Sequence, residues 1–260
     1  MDSTADFFWH LRSGGPAPEG IPDQLVPATM ADAYRSQAVL VDRMLCTTTG
    51  CKPVGYKIAC TSKVARDLFN ANGPVYGRLL SCRSWPDGTT LEASEFPMVS
   101  VEPEFAFRMA ETVPGNSGEW TGDSITRFVG HMIPSLEIVG RRLAAWSAYC
   151  AESLAADNAV HMGWVHGEET EHWHAADLNC HPVTLSVNGR TQLSGSGANV
   201  MGSPLNALAW LANELPRHGH QLQEGDMVTT GVCTDVHAAG PGESLLADFG
   251  DLGAVSLAFA

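Results

Sequence analysis

Two glutamates, Glu102 and Glu104, stand one residue apart in the alternating segment Ser100–Met109. Apolar side chains occupy every second position there, which predicts a strand with both carboxylates on its other face. Pro103 has no N–H, so the strand should lie at a sheet edge or where the ladder is interrupted. Neighbouring like charges repel. Either this face is solvated, or a hard cation such as Mg²⁺ holds the two carboxylates together.

A third carboxylate, Glu137, interrupts the apolar stretch Ile133–Val139. Buried glutamates are commonly paired with arginine, and the candidates in the sequence are Arg108, Arg141 and Arg142. In the metal-binding alternative, three carboxylates leave three positions of a magnesium octahedron open. A 2-oxo acid would fill two of them and water the third.

Several helices and strands must position these groups. The sequence predicts helices at the positions where an apolar stripe follows a capping residue, and strands at short apolar or alternating runs. The predicted helices are Asp6–Arg12, a Thr29-capped helix to about Cys46, Lys63–Asn70, one from Asp123 or Ser124 to about His131, and a Ser203-capped helix starting at Pro204. The predicted strands include Tyr56–Cys60, Val75–Leu80, Met227–Thr230 and Leu252–Phe259. Val183–Leu193 is predicted to be a hairpin turning at Asn188-Gly189, Pro114–Gly122 a loop, and Ser194–Gly197 flexible.

Composition limits the classes of protein. The chain has 260 residues, 44% of them hydrophobic, and a formal net charge of −14 without any basic run. Nucleic acid and anionic membranes are therefore excluded as main partners. No apolar run reaches transmembrane length and no secretory signal is evident. The seven cysteines are odd in number and scattered, which predicts reduced thiols in a cytoplasmic protein.

Five motifs follow one another in register: Gly55-Tyr56-Lys57-Ile58, Val101-Glu102-Pro103-Glu104, Pro134–Val139, Ala156-Asp157-Asn158 and Gly225–Gly231. In this order the chain resembles the fumarylacetoacetate hydrolase superfamily, and within it the 2-keto-4-pentenoate hydratase and 4-oxalocrotonate decarboxylase branch. The resemblance runs from about Ala31 to the C-terminus. It implies an α+β fold, with a β-rich rolled mixed sheet over residues 51–260 and a helical N-terminal segment, 1–50, packed on that core.

The resemblance also implies a site and a reaction. Mg²⁺, or Mn²⁺ in its place, would be held by Glu102, Glu104 and Glu137, with Lys57 as the ionisable group beside a small anionic 2-oxo acid. Burial and the nearby cation are expected to lower the pKa of Lys57. The substrate would also be contacted by Tyr56, Arg83, Thr230 and Gly231. The implied protein is a cytoplasmic homo-oligomer of aromatic catabolism.

The reaction first predicted is hydration of a 2-hydroxy-2,4-dienoate to a 4-hydroxy-2-oxo acid. Departures from the family pattern keep decarboxylation of a 2-oxo-3-enedioate and non-catalytic binding of a 2-oxo acid as alternatives. Ser81-Cys82-Arg83 and Ser153 stand where the family often has acidic residues, and Gly202-Ser203-Pro204 replaces Gly-His-Pro. Candidate bases for water are thereby removed, while Arg83 could hold a second substrate carboxylate and, with Trp85, shape a different pocket.

Two other chemistries are less favoured by the sequence. Histidine and cysteine are zinc ligands, and His172, His174, Cys180 and His181 stand close together in sequence. The segment has the character of a loop, however, without a recognisable ligand spacing. Hydrolysis of an acylpyruvate would need a base ahead of the metal-binding glutamates, commonly a histidine. No histidine lies between Gly55 and Glu102.

Overall fold

Two mixed β-sheets and a set of mostly short helices make up the protein in the computed structural model, which describes residues 2–115 and 118–260. The α-helices are α1 Ser3–Arg12, α2 Met30–Thr47, α3 Lys63–Leu68, α4 Gly122–Ile125, α5 Ala151–Ala156 and α6 Pro204–Glu214. The strands are β1 Pro53–Ala59, β2 Val75–Leu80, β3 Ser84–Pro86, β4 Thr89–Leu91, β5 Val99–Met109, β6 Val129–Gly140, β7 His161–His166, β8 Pro182–Val187, β9 Arg190–Ser196, β10 Met227–Val232, β11 His237–Ala238, β12 Ser244–Asp248 and β13 Ala254–Phe259.

The larger sheet has the strand order β2-β1-β10-β5-β6-β7-β3, with β11 paired to β5. Strand β1 runs parallel to β10 and β3 runs parallel to β7, whereas the other pairs are antiparallel. Strand β2 also contacts β7, three strands beyond β10, so the sheet is rolled. The second sheet has the order β4-β13-β12-β8-β9. The predicted α+β fold with a rolled mixed sheet is thus confirmed.

The N-terminal helices are capped as their sequences indicate. The Asp2 carboxylate accepts a hydrogen bond from the backbone N–H of Ala5 at the start of α1, and the Thr29 hydroxyl accepts one from Asp32 at the start of α2. Helix α2 packs on α5 and β2. The division into a segment 1–50 and a catalytic domain 51–260 stays a prediction.

Pro103 lies in β5 between two partner strands, not at an edge. The pairing of β10 with β5 ends at Val232 opposite Glu104, after a register shift, and the pairing of β11 with β5 begins only at Val101, so Pro103 lies between the two. There the carbonyl of Pro103 accepts a hydrogen bond from the N–H of Cys233. The second of the two predicted placements, an interrupted ladder, is therefore the one adopted.

Other local predictions are wrong. Thr121 caps a single turn, α4, and the chain enters β6 at Val129, so no helix continues to His131. Ser194, Gly195 and Ser196 belong to the ordered strand β9. Residues 116 and 117 of the predicted loop lie outside the described residues.

The cysteines are not all free. Cys51 and Cys82 form a disulfide, with their Cα atoms 5.2 Å apart. They flank β1 and β2, whose antiparallel pairing begins at Pro53 and Leu80 and brings the two positions together. The prediction of seven reduced thiols is therefore wrong for this pair.

Candidate metal centre

The pairing of β5 with β6 brings three glutamates to one point. Glu102 is directly opposite Glu137, and Glu104 is opposite Ser135, so their side chains extend from the same face of the sheet. One carboxylate oxygen from each glutamate lies within 4.8 Å of the other two. Among the described residues, this is the one cluster of three or more acidic, histidine or cysteine side chains with such convergence.

Burial makes this cluster different from a solvated acidic surface. Glu104 and Glu137 are 0% exposed, and Glu102 is partly buried. Glu104 Oε1 has no hydrogen-bond partner among the described residues, and the one partner of Glu137 Oε2 there is the Lys57 ammonium, 3.1 Å away. Unpaired buried carboxylate oxygens are costly. A hard divalent cation with oxygen ligands fits this set of donors.

Lys57 lies within the same site. Strand β1 carries its side chain into the sheet interior, where it is 1% exposed. Its Nζ donates a hydrogen bond to the Ala159 carbonyl oxygen at 3.0 Å and forms an ion pair with Glu137 Oε2 at 3.1 Å. The ammonium thereby faces the carboxylate cluster in a fixed position.

Strand β10 supplies donors to Glu104. The N–H of Gly231 donates to Glu104 Oε2 at 2.7 Å, and the Thr229 hydroxyl donates to the same oxygen. A side chain at Gly231 could not be accommodated, because its φ is +114° and a Cβ would lie 2.1 Å from Thr61 Oγ1. Glycine therefore lets the backbone amide reach the carboxylate.

The turn after α5 holds the other side of the site. Asn158, Ala159 and Val160 all have φ between 48° and 54°, a left-handed run that is rare for residues other than glycine. It directs the Ala159 carbonyl to Lys57. It also places the His161 ring, 0% exposed, with Nδ1 3.0 Å from Glu137 Oε1.

The Ala-Asp-Asn motif explains how this turn is held. The Asp157 carboxylate is paired with Arg12 and Arg142, at 2.8 and 3.1 Å. The Asn158 side chain forms two hydrogen bonds with the backbone of Arg78 in β2. Asp157 and Asn158 thus anchor the segment from which Ala159 and His161 reach the cluster.

The charges in the site shift one another's pKa values. Burial, with the charge of Glu137, raises the pKa of Glu102 to about 7 despite the opposing charge of Lys57. Burial and the charges of Glu137 and Glu102 raise the pKa of Glu104 well above its usual value. Burial also acts to raise the pKa of Glu137, but Lys57 and His161 outweigh it, so this pKa is lowered. Without a cation, Glu137 is the carboxylate that stays ionised most readily.

The pKa of Lys57 departs from the expectation. Burial acts to lower it, but the charges of Glu137, Glu102 and Glu104 outweigh burial and raise it. The expected lowering of this pKa rested on the cation and on burial alone, and the negative charges of the three carboxylates account for the difference. For His161, burial lowers the pKa against the hydrogen bond to Glu137. The ring is therefore neutral, and because a carboxylate can only accept, Nδ1 carries the proton.

Three of the predicted substrate residues are not brought to the cluster. Tyr56 follows the strand alternation to the face opposite Lys57, where the Arg78 guanidinium lies 4.1 Å from its ring centroid. The Thr230 hydroxyl donates to the Phe105 carbonyl. Arg83 lines a separate cavity that none of the three glutamates lines. Of the four, Gly231 alone contacts the cluster, through its amide.

Thr229 and His161 were missed from sequence. Thr229 could have been found, since strand alternation puts it on the same face as Gly231 and puts Thr230 on the other. His161 follows the Ala-Asp-Asn motif by only three residues. The direction of its side chain depends on the left-handed turn, however, and no sequence pattern predicts that turn.

The structure also shows what Cys82, Ser153 and the residues of the zinc alternative contact. Cys82 is bridged to Cys51, and Ser153 caps α5 through the backbone N–H of Cys150. His181 contacts the Phe249 carbonyl, and Cys180 is exposed. Within the described chain, His172, His174, Cys180 and His181 do not converge into a group of metal ligands.

Comparison with known proteins agrees with the resemblance. No family model matches the chain. A 2-keto-4-pentenoate hydratase of Paraburkholderia xenovorans (strain LB400) is 29% identical over 259 residues, covering 99% of this chain and 94% of the relative. A 4-oxalocrotonate decarboxylase of Pseudomonas putida is 31% identical over 231 residues, 89% of this chain and 86% of the relative.

Solved structures give the fold. The 4-oxalocrotonate decarboxylase from Pseudomonas putida G7, complexed with magnesium and adipate, superposes with a TM-score of 0.89 at 26% identity, over 100% of this chain and 97% of that one. The fumarylpyruvate hydrolase from Pseudomonas aeruginosa, in complex with Mn²⁺ and pyruvate, gives 0.59 at 16% identity over 79% and 88%. The fold is that of the fumarylacetoacetate hydrolase superfamily. Within it, the chain belongs to the family of 2-keto-4-pentenoate hydratases and 4-oxalocrotonate decarboxylases.

Proposed function

We propose that the protein is a divalent-cation-dependent hydratase that adds water to a 2-hydroxy-2,4-dienoate and gives a 4-hydroxy-2-oxo acid. The observation that carries the proposal is the buried convergence of Glu102, Glu104 and Glu137 around the ammonium of Lys57. The hydratases and the decarboxylase that the chain resembles over most of its length support the same class of chemistry.

Glu102, Glu104 and Glu137 are the proposed ligands, and Mg²⁺ is the proposed ion. Their oxygen-only donor set suits Mg²⁺ and also Mn²⁺, and a relative's structure is complexed with magnesium. When bound, the ion supplies Lewis acidity to the oxygens of a 2-oxo acid. Thr229 and Gly231 hold Glu104 in orientation, and His161 and Lys57 do the same for Glu137.

Lys57 is the proposed proton carrier. Hydration of a dienol requires that the enol lose its O–H proton while C5 gains one, and that water lose a proton as it attacks C4 while C3 gains one. The Lys57 ammonium, fixed between the Ala159 carbonyl and Glu137, supplies a proton at one defined point. The His161 Nε2, buried and without a hydrogen-bond partner among the described residues, is a candidate acceptor for the proton of water.

Decarboxylation of a 2-oxo-3-enedioate is the second candidate. A decarboxylase superposes over the whole chain, and the apolar side chains of Leu79, Ala106, Ile133 and Trp164 form a cluster of their own within the sheet. The cluster adjoins the carboxylates, because Ala106 follows Glu104 on the same face of β5 and Trp164 pairs with Glu137 across β6 and β7. Apolar surroundings that exclude water favour loss of a carboxylate over retention of water. Non-catalytic binding of a 2-oxo acid is the third.

Incubation of the Mg²⁺-loaded protein with 2-hydroxypenta-2,4-dienoate and, separately, with 2-oxohex-3-enedioate distinguishes these candidates. We expect NMR to detect a 4-hydroxy-2-oxo acid from the first substrate. CO₂ release from the second, without a hydrated product from the first, would make the protein a decarboxylase. Binding of both without turnover would make it a non-catalytic binding protein.

The metal requirement has its own test. Exhaustive chelation should abolish turnover, and Glu104→Gln should weaken binding of Mn²⁺ in calorimetry while the circular dichroism spectrum is kept. Glu169→Gln, in a surface ion pair with Arg108, is the matched control. Full turnover by the chelated protein, with no metal detected by elemental analysis, would refute the requirement.

We further propose a homo-oligomer located in the cytoplasm. Assembly rests on the family resemblance and is measured by sedimentation. No helix in the described part of the chain is long and apolar enough to cross a membrane. Because the cytoplasm keeps thiols reduced, the proposed location predicts that the bridge between Cys51 and Cys82 is open in the cell. Alkylation and mass spectrometry of protein taken directly from its cells would test it.

A further inference from the structure

A cavity of about 520 Å³ lies apart from the glutamate cluster, between the N-terminal segment and the end of β2. Its lining includes Arg12, Arg83, Arg141 and Arg142, and none of Lys57, Glu102, Glu104 and Glu137. A volume of this size is typical of small-molecule sites. We call it the arginine cavity.

The charges around the arginine cavity do not balance. Two of the guanidinium groups, those of Arg12 and Arg142, share the single carboxylate of Asp157, which is 0% exposed. Burial and the neighbouring charge of Arg142 lower the pKa of Arg12 to about 10, although a guanidinium stays protonated at neutral pH. The floor of the cavity thus has an excess positive charge in a chain whose net charge is −14.

The rim adds two more guanidinium groups. Arg83 and Arg141 are half-buried there, and neither forms an ion pair with a described residue. The exposed Glu95 is the one carboxylate in the lining. A guanidinium presents two parallel N–H donors that match a carboxylate, so the rim is suited to an anion.

Most of the remaining lining is apolar, with hydroxyl groups only at Thr47, Thr48 and Ser94. Trp9, Leu80, Met98 and Met162 line the cavity, and thioether and aromatic side chains accommodate a flat apolar group well. A bare inorganic anion would leave these walls without contact. We infer that the arginine cavity is a binding site for a small organic carboxylate with a flat apolar body, separate from the metal centre.

The position of the cavity relative to the metal centre follows from its floor. Arg12 and Arg142 both donate to the His161 carbonyl oxygen, at 3.0 and 3.4 Å, in addition to holding Asp157. The segment Asp157–His161 therefore separates the two sites, with the cavity on one side and Lys57 and Glu137 on the other. A carboxylate in the cavity would complete the charge balance of the arginines that anchor this segment.

Methyl NMR of the metal-free full-length protein tests the inference with benzoate as the probe. Chelation removes any metal-mediated binding, so the result is independent of the proposed reaction. With ¹³C-methyl methionine, assigned through Met→Leu variants, we expect saturable shifts at Met44, Met98 and Met162, which line the cavity. Met109 and Met132 in the core should stay unchanged. Benzyl alcohol, which lacks the charge, and inorganic phosphate, which lacks the ring, should bind at least about tenfold more weakly.

Variants locate the site. Arg83→Gln combined with Arg141→Gln should weaken benzoate binding at least about tenfold, because half-buried charge-assisted hydrogen bonds are lost. Arg35→Gln on the exposed face of α2 is the matched control and should change nothing. Glu104→Gln should also leave binding intact. Absence of saturable shifts, equal affinity in the double variant, tighter binding of phosphate, or loss of binding in Glu104→Gln would each overturn the inference.

Discussion

Lys57 is the residue whose surroundings most limit its possible roles. It is 1% exposed, and its two contacts, the Ala159 carbonyl and Glu137, are both inside the sheet. A lysine that only contributed apolar packing through its stem would keep its ammonium in water. Its charge must therefore interact with the site.

Lys57→Met tests this role. Methionine retains most of the apolar stem but cannot transfer a proton, so kcat should fall by about a hundredfold or more. Mn²⁺ should remain bound, since the three carboxylates are unchanged and His161 still donates to Glu137. Steady-state kinetics and calorimetry measure both, and Lys63→Met, an exposed lysine paired with Asp67, is the control. An unchanged kcat would leave Lys57 a structural residue.

His161 is predicted to orient a ligand. Its Nδ1–H donates to Glu137 Oε1, and loss of such a partner typically costs 10- to 100-fold in metal affinity. His161→Leu should weaken Mn²⁺ binding in calorimetry by about that factor, and His161→Asn, whose amide can donate from a similar position, should restore part of it. Equal affinities in wild type and the leucine variant would contradict a positioning role.

At the level of elements, strands and hairpins with a clear local pattern were predicted better than turns. The Val75–Leu80 strand and the Val183–Leu193 hairpin follow from local pattern and turn residues, and both are present. The predicted helix after Asp123 is wrong because Ile125, Val129 and Met132 are compatible with helical spacing, yet Val129 and Met132 pair with β5 as part of a strand. The pattern of a short apolar run does not distinguish the two.

The candidate site was likewise predictable where local patterns determine it and not where tertiary contacts do. Glu102, Glu104 and Glu137 are found from carboxylates placed within strand patterns. Cys51 and Cys82, by contrast, are 31 residues apart in sequence and meet only through the pairing of β1 with β2. The Ala159 carbonyl and the His161 ring depend on a left-handed turn of three residues that are not glycine. Tertiary contacts determine such turns, and local propensity does not.

Gly231→Ala tests how β10 serves the metal centre. The backbone must shift in this variant, because φ is +114° and the added Cβ would lie 2.1 Å from Thr61 Oγ1. The shift should cost about 1–3 kcal/mol of unfolding free energy. It should also move the amide away from Glu104. Gly189→Ala is the control, with φ at +75° in the hairpin turn but no atom within 4 Å. Denaturant unfolding should report a loss in both variants, while Mn²⁺ affinity should fall only for Gly231→Ala. Equal Mn²⁺ affinity in the two would separate β10 from metal binding.

At the scale of the whole molecule, the metal centre links stability to pH. Burial raises the pKa of Glu102 to about 7 and the pKa of Glu104 well above its usual value. Between the unfolded pKa near 4.5 and these folded values, the metal-free folded state binds more protons than the unfolded state. Its stability must therefore fall as pH rises through that window, by up to about 1.4 kcal/mol per pH unit for each group. The lowered pKa of Glu137 acts in the opposite sense only below that window.

A divalent cation should reverse this dependence. It competes with the protons of Glu102 and Glu104, so its binding releases protons and strengthens as pH rises from 5 to 8. In the Glu102→Gln/Glu104→Gln double variant these two protons are absent, while groups outside the site titrate as before. Over this pH range the unfolding free energy of the metal-free wild type should therefore fall relative to that of the double variant. Protein with excess Mg²⁺ should gain stability relative to the same variant. Denaturant unfolding at each pH measures both differences, and calorimetry in buffers of different ionisation enthalpy counts the protons released. Parallel pH profiles for wild type and the double variant, with and without Mg²⁺, would show that these carboxylates bind neither the protons nor the ion.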